Sequence, residues 1–136
     1  YTANSIATRG AFGNNGAATL ATCIDGTSNT FAIGEAKQLH TSDAYGPYWG
    51  AGTHTSVHGY VPNASYTPNY RYGACPGSAA GNRWCQYAWG FGSYHPGITQ
   101  FVMMDGSVQI IKDQISYAIC AALCTPEGGE AAGQVP

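Results

Sequence analysis

The sequence predicts a mainly β fold closed by a C-terminal helix, an α+β arrangement of one antiparallel sheet with long loops, in a single domain of residues 1–136. Three observations carry this expectation. Asp105-Gly106 stands between two runs of alternating apolar residues, a strong short-range signature of a β-hairpin. Beyond Asp113 the apolar spacing changes from every second residue to that of a helix. A chain of 136 residues with 19 Gly and 7 Pro has material for one modest core reached by many turns, and not for two cores.

From the N-terminus, residues 18–24 (ATLATCI) are β-prone, with Leu20, Thr22 and Ile24 on one side. Residues 25–29 (DGTSN) form a turn, because Asp25 and Asn29 can bond nearby backbone amides and Gly26 tolerates positive φ. A second strand over residues 30–35 (TFAIGE) buries Phe31 and Ile33. Between Lys37 and Arg83 the chain is rich in Gly, Pro, Asn, Tyr and His, with at most one strand around residues 48–60. Loops of that length inside a compact domain tend to be functional or cross-linked. Cys75 and Cys85 bracket the turn CPGSAAGNRWC, where a local disulfide would contribute roughly 2–3 kcal/mol. Residues 86–94 (QYAWGFGSY) alternate Tyr87, Trp89 and Phe91 with small residues, as a strand with one aromatic face does.

The hairpin spans residues 98–112. With Asp105 and Gly106 as a two-residue type I′ turn, Met103 faces Val108 and Phe101 faces Ile110, and the four make one apolar face that a one-residue slip would destroy. A helix follows at about residues 114–124, with Asp113 as N-cap and Pro126 then Gly128 as its stop. Ile115, Ala118, Ile119, Ala122 and Leu123 give it a core-facing stripe. Tyr117, Cys120, Ala121 and Cys124 give it a second one, so the helix is apolar almost all round and needs cover on both sides. A neighbouring subunit is the economical cover, which makes those four residues candidate interface positions, though the long middle loop could fold over the helix instead.

Composition narrows the function classes. Charged residues are 9% of the chain and the net charge is −2, so neither a nucleic-acid partner nor a cationic membrane helix is expected. No run approaches the length of a membrane span, and no insertion by this chain is expected. The chain opens at Tyr1 without a charged segment followed by an apolar one, so a targeting segment is expected to have been removed or to lie outside this sequence. Solubility resting on hydroxyls and amides suits secreted and cell-surface bacterial proteins. Five cysteines without C-x-x-C spacing favour disulfides in an oxidising compartment over zinc. Their odd number leaves at least one thiol free or paired between chains.

Candidate chemistry is sparse. His54 and His58 have H-x-x-x-H spacing, but they lie in a Gly- and Thr-rich stretch and no Glu follows the first His. His95 and Asp105 could suggest a dyad, yet a strand of about nine residues at ~3.3 Å each holds them far apart. The plainer reading has His95 at the open base of the hairpin, bonding backbone groups near residues 113–116. Asp25, Asn29 and Glu35 offer hard oxygens for calcium, without the spacing of an EF-hand loop. Glu35 ends an apolar strand and is expected to pair with Arg9, Lys37 or Arg83. No catalytic, cofactor-binding or metal-ligating residue is therefore expected, and an enzyme is not. Asn63 heads the only N-x-S/T sequon, a candidate glycosylation site. Loop aromatics such as Tyr45, Trp49, Tyr60 and Tyr70 could stack on sugar rings in a carbohydrate-binding domain, or pack loops and subunit contacts.

Three motifs in order resemble a known family. His95, nine residues, then Asp105-Gly106 is similar to the H-X9-DG signature of the DUF1559 proteins, which are secreted, prepilin-like bacterial proteins related to type II secretion pseudopilins. Residues 25–35 (DGTSNTFAIGE) resemble that family's DGTSNT-x-x-x-GE block, with Asp25, Gly26 and Glu35 as motif positions, and the close at Gly129-Glu130 resembles its terminal Gly-Gly-Glu. The match covers the C-terminal portion of such a protein, without the leader and long apolar helix with which members usually begin. His95-Pro96-Gly97-Ile98 stands where the family often has His-Pro-Gly-Gly. The resemblance implies a pilin-like or filament-forming surface protein with no established enzymatic activity. The expected function is thus a structural subunit of an extracellular filament or pilus-like assembly acting by self-association, with itself as partner and glycans as possible additions. The helix's second stripe and residues 1–12 are the candidate contact surfaces. The alternative is a secreted carbohydrate- or solute-binding domain.

Overall fold

In the computed structural model, the fold is described for residues 10–13, 16–36, 61, 64, 67–70 and 91–128. A two-stranded antiparallel pair, β1 (Phe12–Gly13) with β2 (Gly16–Ala17), comes first among the described elements. The main sheet is antiparallel, of order β3–β4–β5, with β3 at Phe31–Gly34, β4 at Ile98–Met103 and β5 at Val108–Lys112. An α-helix, α1 (Tyr117–Cys124), follows β5. This is the mainly β, α+β architecture that the sequence predicts. Helix and sheet meet in a core of Phe31, Phe101, Met103, Ile111, Cys120 and Leu123. Phe101 is its hub, stacked on Phe31 at 4.0 Å between ring centroids and met edge-on by Phe91 at 5.0 Å.

The hairpin forms where expected, in a different register. Val102 faces Val108, Phe101 faces Gln109 and Thr99 faces Ile111, one residue away from the pairing a two-residue turn would give. The cause is the loop. Gly106 N–H donates to Met103 O at 3.0 Å and Met103 N–H donates to Ser107 O at 2.8 Å, while Gly106 has φ +84°. Three residues, Met104 to Gly106, therefore make the connection, as a turn followed by a left-handed glycine bulge. Asp105 supports it by accepting the Ser107 N–H at 2.8 Å. Phe101 and Met103 remain buried, but Val108 and Ile110 point to the opposite face and Ile111 takes the core position.

A second offset lies in β3, where the pairing with β4 shifts between Phe31 and Ile33. Phe31 is buried against Met103, whereas Ile33 lies beside Val102 on the outer face and is 62% exposed, contrary to the expectation that both are buried. Gly34 completes the strand where a side chain has no room: a Cβ there would stand 2.5 Å from both Phe101 and Phe91.

Three further expectations are corrected. Residues 18–24 are not a strand: Leu20–Thr22 is a 3-10 turn in which Thr19 and Thr22 cap each other, and Leu20 and Ile24 stay exposed. Helix α1 is capped by Ser116, whose hydroxyl accepts the Ile119 N–H at 3.3 Å, and not by Asp113, which lies three residues too early and is bonded elsewhere. No strand contains residues 91–94. The stop at Pro126 stands, since α1 ends at Cys124 with Thr125 as C-cap. The strand proposed around residues 48–60 and residues 86–90 lie outside the described residues.

Candidate functional site at the base of the hairpin

The base of the hairpin gathers polar side chains from four segments. His95-Pro96-Gly97 turns the chain into β4 with Gly97 at φ +75°, the Pro-Gly order that a type II turn favours. Across β4, Glu35 follows β3. Its backbone N–H donates to Gln100 O at 3.1 Å, its carboxylate Oε2 accepts the Gln100 N–H at 2.8 Å, and its C=O accepts the Gly92 N–H at 2.9 Å. A carboxylate that extends a ladder in this way is fixed by backbone, and its second oxygen is left to face the loop. There His95 Nε2 stands 3.8 Å from Glu35 Oε1, an ion pair when the imidazole is protonated. With the two side chains 56% and 36% exposed, it contributes little to stability.

Beside this pair, Asn69 ties the segments together. It adopts φ +60°, the left-handed region that asparagine tolerates better than other side chains. Its amide donates to Asp113 Oδ1 at 2.7 Å and lies 3.3 Å from Thr99 Oγ1, its Oδ1 accepts the Ser93 N–H at 2.9 Å, and its N–H donates to Phe91 O at 3.0 Å. Ser93 Oγ in turn accepts the His95 N–H at 2.8 Å, and Asp113 N–H donates to Gly97 O at 3.0 Å. Thr99 and Ser93 are buried, so these bonds satisfy groups that water does not reach. The network fixes where His95 and Glu35 sit.

The sequence-selected positions divide between this base and two other places. Asp105 and Gly106 form the hairpin tip, at the far end of β4 from His95, which rules out a dyad between them. Hydrogen bonds from the Ser107 hydroxyl and N–H hold the Asp105 carboxyl below its ordinary value. The tip is not isolated, because Asp105 N–H donates to Thr27 O and Met104 N–H to Thr30 O. In the 25–29 turn, Gly26 has φ +96° and the Asn29 amide donates to Asp25 O at 3.1 Å, so asparagine closes the turn through a carbonyl. Asp25 reaches the other end of the chain, where its Oδ2 accepts the Gly128 N–H at 2.7 Å and its own N–H donates to Pro126 O at 3.4 Å. The motif residues thus act as joints: Glu35 with the His95 loop, residues 27–30 with the hairpin tip, and Asp25 with residues 126–128.

His95 does not bond the backbone at residues 113–116; Gly97 makes that contact, and the imidazole turns to Glu35. Glu35 has His95 beside it, while Arg9, Lys37 and Arg83 lie outside the described residues, as do His54, His58, Asn63, Cys75, Cys85, Gly129 and Glu130. Of the proposed interface stripe on α1, Cys120 is buried and Cys124 packs against the core, so both cysteines face inward; Ala121 is half-buried and Tyr117 is 38% exposed. The core contact draws on both stripes, with Ile119 and Leu123 from one and Cys120 and Cys124 from the other. A thiol contact between Cys120 and Cys124, with burial, pushes Cys124 well above the ordinary thiol value. Burial likewise pushes Cys23 up, against a hydrogen bond with Thr30. Among the described residues Cys23, Cys120 and Cys124 are free thiols, and no cluster of three or more His, Cys, Asp or Glu could hold a metal ion.

Sequence does not single out Asn69, Ser93 or Thr99, and it selects Asp113 only as a helix cap. The only local signal was Thr67-Pro68-Asn69-Tyr70, a Pro-Asn turn whose asparagine suits positive φ. Its partners lie up to 44 residues away.

The family model described as a protein of unknown function (DUF1559) matches residues 2–117. No curated protein and no solved structure matches the chain.

Proposed function

The chain belongs to the DUF1559 family, and from that premise we propose that it is a structural subunit of an extracellular, pilus-like filament that works by self-association. The observation that carries this reading is the outer face of the main sheet. Ile33, Val102, Val108 and Ile110 share it, joined strand to strand by the pairings Ile33 with Val102 and Val102 with Val108. Ile33, Val108 and Ile110 are 62%, 60% and 57% exposed. Single exposed apolar residues are ordinary, but a contiguous set on one sheet face is the mark of a contact surface. A chain with only 9% charged residues adds little repulsion when copies crowd together. Covalent additions belong to the same reading, with a disulfide between Cys75 and Cys85 and a glycan on Asn63.

Electron microscopy of the native, unreduced protein at modest concentration tests it. Regular helical filaments are the expected result, and uniform small particles at all concentrations would overturn it.

A second reading, a secreted carbohydrate-binding domain, is favoured by a different observation. Tyr70 and Tyr94 are 54% and 76% exposed and each follows a partner in the Asn69–Ser93 contact, so two aromatic rings emerge at the hairpin base. Sugar rings stack on exposed aromatics of this kind. Saccharide titrations followed by tyrosine and backbone NMR shifts separate the two: saturable shifts confined to residues near Tyr70 and Tyr94 support binding, and flat titrations exclude it.

A further inference from the structure

The outer edge of β5 presents backbone groups that no described strand takes up. Ladder bonds in an antiparallel pair alternate between residues that face the partner strand and residues that face away. Met103 N–H bonds Ser107 O and Asp113 N–H bonds Gly97 O, and the register carries the alternation between them. Ser107, Gln109, Ile111 and Asp113 therefore direct their backbone groups to β4, and Val108, Ile110 and Lys112 direct theirs outward. Among the described residues no strand lies on that side, and β5 is the last in the sheet.

We propose that β5 pairs antiparallel with β5 of a second copy, about a two-fold axis at Ile110. The inference rests on the self-association reading and names its contact. Val108–Lys112 is five residues long with Ile110 at its centre, so the outward groups are symmetric about that residue. A two-fold pair sets Ile110 against Ile110 and each Val108 against the other copy's Lys112, and each facing pair exchanges two N–H···O bonds. Charge agrees with this register: Lys112 is the one charged residue of β5, and it meets a valine rather than its own image. Two of the usual protections of an edge are missing, since β5 contains no Pro and its register with β4 has no bulge, and Lys112 at its end is the one guarding charge.

Pairing also merges the outer faces, so that Ile33, Val102, Val108 and Ile110 of one copy run on into Ile110 of the next. One strand per partner buries less than the roughly 800 Å² a side of a standard stable interface. The contact is therefore weak and reversible for an isolated pair, and it gains strength when repeated in an assembly. A two-fold contact closes on itself, so a filament adds a second, different contact to propagate.

The test compares the purified full chain with Ile110→Lys across a concentration series, by sedimentation and by NMR-detected amide exchange. Two-fold pairing brings the introduced ammonium groups face to face, and the concentration at half association is expected to rise about tenfold or more. In the unsubstituted chain, the amides of Val108, Ile110 and Lys112 are expected to gain protection on association, while those of Gln109 and Ile111 are protected throughout. Association that Ile110→Lys leaves unchanged, or outward amides that exchange equally at all concentrations, would overturn the proposal. Filaments seen with unprotected outward amides sink the β5 contact and leave the filament reading standing. Dimers with protected amides that never form filaments sink the filament reading and leave the contact. Absence of any association sinks both.

Discussion

The two faces of the main sheet are made from the same three strands and nearly the same residue types, yet one is dry and the other is wet. Phe31, Phe101, Met103 and Ile111 are at most 5% exposed, while Ile33, Val108 and Ile110 are more than half exposed. Composition does not separate them; parity does. One extra residue in the hairpin loop and one offset in β3 decide which member of each apolar pair turns inward. Apolar character therefore marks a strand, and loop length assigns its duties.

The largest expected difference between the faces comes from truncating their central residues. Phe101→Ala removes the ring that touches Phe31 and Phe91, and a loss of about 3–5 kcal/mol is expected in denaturant unfolding. Ile110→Ala on the wet face is expected to change stability by less than about 1 kcal/mol. Equal losses at the two positions would mean that Ile110 is covered within the monomer. Next in size is Gly34→Ala, where the new methyl must displace the Phe91 and Phe101 rings; the expected loss is about 1–3 kcal/mol, and Phe101→Leu in the same chain should recover part of it. A similar loss, about 1–3 kcal/mol, is expected of Asn69→Ala, which strands the Asp113 carboxylate and the Ser93 N–H. Asn69→Gly keeps the left-handed backbone and separates lost hydrogen bonds from strain.

Smaller effects sharpen the contrast at its edges. Cys120 lies in the dry core, Cys23 is buried, and the pair contact pushes Cys124 up. Cys120 should react with a maleimide at neutral pH only at the rate of global opening, and its fast labelling in the native protein would contradict the packing of α1. The smallest effect is at the hairpin tip. The folded-state value of Asp105 is depressed, so its contribution is fully present above the ordinary carboxylate range and is lost as pH falls through the folded value. Asp105→Asn should flatten that acid limb of the stability profile, and an unchanged limb would assign it to other carboxylates.

Much of this architecture was legible because it is local. Alternation in residues 98–103, the Asp-Gly pair and the helical spacing after residue 115 each report on their own segment; the hairpin falls where they place it, and the helix ends where expected but starts later, at Tyr117. Register was less legible, because Asp-Gly serves both a two-residue turn and the last two places of a three-residue loop. Strand alternation assumes no offset and so buries Ile33, and Asp113 reads as a cap because its tie to Asn69 spans 44 residues and leaves no trace in its own segment. The candidate site was half legible. Its residues Glu35 and His95 stood out as motif positions, whereas their proximity is a product of pairing β3 with β4.

The bond between Asp25 and Gly128 joins positions 103 apart in the chain, and this bears on the order of folding. Closing a loop of that length costs entropy before any contact rewards it. The β4–β5 hairpin needs only a three-residue loop and can form first, and β3 must then search across the long intervening segment to find β4. Asp25 can meet residues 126–128 only after β3 and α1 have both docked. It is thus a late latch, whose closure reports that sheet and helix are already assembled, and its loss should speed unfolding while leaving the folding rate nearly untouched.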